Sequence, residues 1–154
     1  MSLPILPLNL ANPVTVNRLW YLQQQAYRVE AALIGFAEIP PLLETMEELQ
    51  AAKDAFFGFY HGAALAGAIA CETHDNALEI TRLVVDPHFF RQGIAQKMLS
   101  FIAQQYSHYA IMRVSTGSKN EPALQLYLKN GFLVVRTTSI APGIGLTHLE
   151  RKRN

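Results

Sequence analysis

The amino-acid sequence predicts an α/β (α+β) fold, on three observations. Short apolar runs bounded by turn residues alternate with stretches of helical period. Helix start and stop signals bracket several of those stretches. Half of the 154 residues are apolar and 16% are charged, the balance of a globular chain. The length suits one compact domain. No repeat, low-complexity tract or linker divides it, so residues 1–154 are read as a single domain.

Ile5 to Leu10 reads as a short strand, and Pro7 inside it marks a sheet edge. Asn12-Pro13 opens a helix running to about Tyr27. A second helical stretch follows and is interrupted at Ile39-Pro40-Pro41. Thr45 with Glu48 three residues on is a capping box, which starts a short helix towards Ala52. Ala55 to His61 and Ala64 to Glu72 read as strands around the turn at His61-Gly62. Thr73 to Asn76 turns the chain, Ala77 to Val85 returns antiparallel, and Asp86-Pro87 ends that strand. Ile94, Met98, Ile102 and Tyr106 recur at helical spacing. Ala110 to Thr116 is a strand, and Asn120 to Asn130 a helix with Asn120 as N-cap, Pro122 in the first turn and Gly131 as the stop. Phe132 to Ser139 and Gly145 to Arg151 are two final strands around Pro142-Gly143.

Composition narrows the function. A formal net charge of +1 gives no broad field for nucleic acid or an anionic membrane, so neither is expected as a partner. Cys71 is the single cysteine, which excludes an internal disulfide and a thiolate metal cluster; it sits in the apolar run Ala68 to Cys71 and reads as a buried, inert thiol. The histidines at 61, 74, 88, 108 and 148 show no ligand spacing, and no metal is expected. The start lacks a basic n-region and no apolar run is long enough to span a bilayer, so the expected location is the cytoplasm.

Two segments carry chemistry. In Leu78 to Ala95 an apolar strand runs through a short loop to a helix start, where Gly93 and Ala95 would let an anion reach unpaired backbone N–H groups. In Asn120 to Phe132 a capped helix carries Tyr127 and ends at Gly131-Phe132. Alone, the first is equally an ordinary strand-turn-helix, and the second reads first as an ordinary capped amphipathic helix with Tyr127 in the core. Together and in this order they resemble the GNAT acetyltransferase superfamily. The first is similar to its cofactor motif, Arg/Gln-x-x-Gly-x-Gly/Ala, with Phe90 at the head position and Arg91 beside it. The second is similar to its Asn-x-x-Ala-x-x-Leu-Tyr-x-x-x-Gly-Phe helix.

The resemblance implies a GNAT-like domain, with a mostly antiparallel mixed central sheet of about six to seven strands flanked by helices on both faces. It implies acetyl-coenzyme A as cosubstrate and an acyltransferase activity towards a primary amine. Leu83, Val84 and Val85 would pair with the pantetheine amides like an added strand. Arg91, Gln92, Gly93, Ile94, Ala95 and Gln96 would surround the pyrophosphate, and Asn120 would help hold the pantetheine arm. Tyr127 would protonate the leaving thiolate. Glu79 matches a strand position where family members carry a catalytic base; it reads equally as a partner for Arg82, and Glu72 is a second candidate. Members that acetylate ribosomal-protein N-termini carry their base at the position of Ser115, which serine cannot replace, so a small-molecule amine is the expected acceptor, met by Phe36, Pro40 and Pro41. The alternatives are a peptide or protein amine, or a non-catalytic acyl-CoA sensor. A homodimer is possible through an apolar edge near the last strands.

Overall fold

The computed structural model describes residues 4–153. Its seven strands form one sheet: β1 (Ile5–Pro7), β2 (Ala55–His61), β3 (Ala64–His74), β4 (Ala77–Val85), β5 (Ile111–Gly117), β6 (Leu133–Ala141) and β7 (Ile144–Lys152). Their spatial order is β1-β2-β3-β4-β5-β7-β6, and only β4 and β5 run parallel. The helices are α1 (Pro13–Ile34), α2 (Pro40–Leu43), α3 (Met46–Gln50), α4 (Ile94–Gln105) and α5 (Glu121–Lys129). A single 3-10 turn, Pro87–Phe89, links β4 to the α4 loop.

The sheet separates two cores. On one face Ala68, Ala70 and Val84 lie under Leu19, Leu22, Tyr27 and Ile34 of α1. On the other, Ile69, Cys71, Leu78 and Ile80 pack against Met98, Leu99 and Ile102 of α4 and Tyr127 of α5. Neighbouring residues of β3 thus serve opposite faces, as the two-residue period of a strand requires. The alanines on the first face let a long helix lie close. Cys71 is buried, and burial raises its thiol pKa, which leaves it inert.

The helix expected to stop near Tyr27 continues to Ile34. Nothing between these residues breaks a helix, and Gly35, left-handed at φ 71°, is the first that ends one. Asn12 caps its start, accepting from the Val14 and Thr15 amides. The Thr45–Glu48 capping box is formed in both directions, at 2.9 and 3.1 Å. β1 is shorter than read and lies at a sheet edge. β6 forms the other edge, with Leu133, Val134 and Val135 exposed. Among the described residues no helix is long and apolar enough to cross a membrane.

Candidate active site

β4 and β5 pair through four residues only, Ala77–Ile80 against Ile111–Val114, and then separate. Thr81 is the cause on the β4 side. It is an extra residue in the β3–β4 register, which passes from Cys71↔Ile80 to Ala70↔Arg82, and such a bulge bends and twists its strand. Beyond the bulge the Asp86 amide donates to Ala66 of β3. Alternation along the strand turns the Leu83 and Val85 amides the other way, towards the gap. Val84 directs its side chain into the α1 core.

At the end of β4 the chain reaches the start of α4. Gly93 is the N-cap, left-handed at φ 72°, with no side-chain cap, and Arg91 is also left-handed at φ 64°. Within α4 the first amide to find an acceptor is that of Lys97, on Gly93 at 3.0 Å. Among the described residues, the amides from Arg91 to Gln96 donate to no protein acceptor. A Cβ placed on Gly93 would meet nothing within 4 Å. Open space therefore stands over a run of free N–H groups at the positive end of a helix, the arrangement that binds phosphate. Phe90 is half exposed and takes no part in this backbone cradle. The Gln96 side chain is committed elsewhere, exchanging two 2.8 Å hydrogen bonds with Asn130 beyond α5.

The gap holds a cavity of about 210 Å³ that draws on α1, α2, β4, β5 and α5. Tyr127 lines it with its ring buried and stacked edge to face on Phe132 at 5.6 Å. Burial raises the Tyr127 pKa well above the usual phenol value, so the hydroxyl keeps its proton. Asn120 caps α5 by accepting from Ala123 at 3.3 Å and donates through Nδ2 to Oε1 of Glu30, also at 3.3 Å. Glu30 and Tyr27, one helical turn apart on α1, both line the cavity. Burial raises the Glu30 pKa, opposed by the Asn120 hydrogen bond, and burial raises that of Tyr27.

Arg82 also lines the cavity, fully engaged. Its two terminal nitrogens donate to the Glu44 carboxylate at 2.6 and 2.9 Å, and Nη1 donates to Gln23 at 3.0 Å. Asp54 lies 3.9 Å from its Nε and accepts from the Thr81 hydroxyl. Burial works against the Arg82 cation, but the hydrogen bond and charge of Glu44 outweigh it and raise its pKa.

Of the residues singled out from sequence, Leu83, Asn120, Tyr127, Ser115, Pro40 and Pro41 line the cavity. Phe36 packs instead against the α1 core. Glu79 does not line it. Its position precedes the bulge, and its carboxylate meets His74 at 3.1 Å, with Glu72 directly opposite in register. Glu72 contacts the same histidine at 3.5 Å. Ligand atoms of Glu72, His74 and Glu79 lie within 4.8 Å of one another, a grouping that comes from strand register and that linear spacing does not display. Ser115 bonds His148 at 2.7 Å. Sequence reasoning missed Tyr27, Glu30 and Glu44. The available signal was Glu30, the one acidic residue of α1, three residues from Tyr27 and four from Ile34 on a single helix face.

Comparison with known proteins agrees with this architecture. Residues 52–134 match the model of the acetyltransferase (GNAT) domain family. The UPF0157 protein YqkA of Bacillus subtilis is 37% identical over 134 residues, which is 86% of this chain; the chain spans 39% of that relative's length. The PaiA N-acetyltransferase of Thermoplasma acidophilum, solved with coenzyme A, superposes with a TM-score of 0.80 at 19% identity, covering 99% of this chain and 100% of the other. The ribosomal-protein-S18-alanine N-acetyltransferase of Escherichia coli superposes with a TM-score of 0.76 at 14% identity, over 96% and 92% of the two chains. With its mixed seven-stranded sheet, the β4–β5 gap and a matched segment that spans both motifs, the chain belongs to the GNAT acetyltransferase family.

Proposed function

We propose that this chain transfers an acetyl group from acetyl-coenzyme A to a primary amine of a small molecule, by direct attack of the amine on the thioester. The observation that carries the reading is the run of unsatisfied amides from Arg91 to Gln96, with open space at Gly93, where the chain leaving β4 enters α4. That donor set fits a diphosphate. The Leu83 and Val85 edge fits an extended arm bearing amides, which would take the place β5 leaves vacant.

Acetyl-coenzyme A supplies an acetyl carbon already activated on a thiolate leaving group. The protein has three further tasks. An amine of pKa about 10.4 must give up a proton before it attacks. The carbonyl oxygen must be held by a donor as it gains charge, a role suited to the β4 amides turned into the gap. The departing sulfur needs a proton, and Tyr127 carries a protonated hydroxyl at the cavity wall.

Thiol release from acetyl-coenzyme A with a panel of amines tests the reading. Tyr127→Phe is expected to lower kcat about 100-fold with little change in KM for acetyl-coenzyme A. Gly93→Val is expected to raise that KM, by straining a left-handed position and covering the amides. Unchanged kcat in the first variant removes Tyr127 as the acid. Binding without turnover of any amine favours a sensor domain.

A further inference from the structure

Resting on the acetyl-transfer reading above, we infer that the α1 carboxylate Glu30 binds the acceptor's ammonium and takes its proton, and that the acceptor is a primary amine on a small apolar body with no carboxylate beside the nitrogen.

The charge inventory of the cavity leads to this assignment. Its lining contains one carboxylate, Glu30, and one cation, Arg82, among the described residues. Arg82 is held by both oxygens of Glu44 with Asp54 nearby, so it presents no free charge to a ligand. Among the described residues Glu30 has no cationic partner. Its one side-chain hydrogen bond, from the Asn120 amide, occupies Oε1 and leaves Oε2 available. An acceptor nitrogen arriving as an ammonium meets an anion there. An acceptor carboxylate would meet the Glu30 carboxylate and an arginine already neutralised.

The walls give the rest of the acceptor. Ile34, Ile39, Pro40, Pro41, Ile140 and Leu146 supply the apolar surface. A dry cavity of about 150 Å³ accommodates benzene. The space here, about 210 Å³, thus admits one ring or a short alkyl chain beside the reacting acetyl group. Glu30 also faces Tyr27 on its own helix and Tyr127 on α5, and both tyrosines are neutral, since burial raises their pKa values. They add no competing charge.

The proton balance closes without another reactant. The ammonium gives its first proton to the Glu30 carboxylate, which later releases it to water. The nitrogen lone pair forms the new C–N bond to the acetyl carbon, and the C–S bond breaks with its electron pair on sulfur. Tyr127 gives its hydroxyl proton to sulfur, and the second proton leaving the nitrogen restores that hydroxyl. The products are an N-acetyl amide, free thiol and one proton.

The test compares 2-phenylethylamine with phenylalanine as acceptors for the wild-type chain and Glu30→Gln. Calorimetric binding of acetyl-coenzyme A and thermal unfolding are measured on both proteins. The wild type is expected to favour 2-phenylethylamine by at least about 100-fold in kcat/KM, the scale of a well-placed charge contact. Glu30→Gln should lose about 100-fold or more on that amine. It should also lose the acidic limb of the kcat/KM profile while it binds acetyl-coenzyme A and unfolds as the wild type does. Glu30→Asp should recover part of the rate and restore the acidic limb. Equal use of phenylalanine, a Glu30→Gln variant of undiminished rate, or no turnover of 2-phenylethylamine by a wild type that binds acetyl-coenzyme A each overturns the assignment and leaves the acetyl-transfer reading standing. Failure of the wild type to bind acetyl-coenzyme A overturns both.

Discussion

Replacing Gly117 with alanine tests how α1 is held over the cavity. Gly117 ends β5 beneath the last turn of α1, and a Cβ built there lies 2.6 Å from Cγ2 of Ile34, with Cδ1 at 3.4 Å and Cβ at 3.5 Å. Carbon atoms in contact sit about 3.5–4.0 Å apart, so the last turn must retreat by about 1 Å. Ile34 cannot swing aside, because a β-branched side chain on a helix has essentially one χ1 setting and this one is buried. Overpacking of this kind costs about 2 kcal/mol, or about 4–8 °C in midpoint for a chain of this size. The same retreat carries Glu30 and Tyr27, one and two turns back along the helix. A displacement of about 1 Å at reacting groups costs up to about 100-fold in rate. Thermal unfolding and kcat/KM would be measured for Gly117→Ala, Ile34→Ala and the double variant. Ile34→Ala alone should cost about 3 kcal/mol as a cavity, and the alanine at 117 should then cost almost nothing in its background. A Gly117→Ala penalty that is the same in both backgrounds would refute the clash.

Two further outcomes follow from other contacts. Arg82→Met should destabilise by about 3 kcal/mol in urea unfolding, because Glu44 then keeps a largely buried charge without its partner. The double variant Arg82→Met/Glu44→Met should recover most of that loss, and additive losses would show that the pair is not coupled. His148 has its pKa lowered by burial and by Arg136, so the folded chain takes up its proton less readily than the unfolded chain does. Its contribution is present above the unfolded value, about 6.5, and is lost as pH falls below it. His148→Asn should flatten that part of the stability profile between pH 7 and 5, and an unchanged slope would argue against it.

The features legible in the sequence were those written in local chemistry. Gly93 and Ala95 after an apolar strand, and Asn120 and Pro122 before Tyr127, mark helix starts whose function depends on backbone near in sequence. Strand boundaries followed from Gly62, Asp86-Pro87 and Pro142-Gly143 for the same reason. The missed features depend on distant partners. Arg82 meets Glu44 from 38 residues away, and Asn120 meets Glu30 from 90. No local pattern encodes either meeting. Glu79 shows a subtler limit. Its strand was read correctly, but the extra residue at Thr81 changes which side chains face which way, and alternation alone does not reveal a bulge.

The narrow junction of β4 and β5 has a mechanical consequence. Four residue pairs are the whole ladder between a block of β1 to β4 and a block of β5, β7 and β6. The Ala110 and Ile111 amides also donate to Asn76 at one end of the ladder, but beyond Ile80 and Val114 no main-chain bond joins the blocks among the described residues. An extended ligand lodged there would act as a splint, joining two plates that otherwise share only a short seam. The rigidity of the molecule thereby becomes a property of its occupancy.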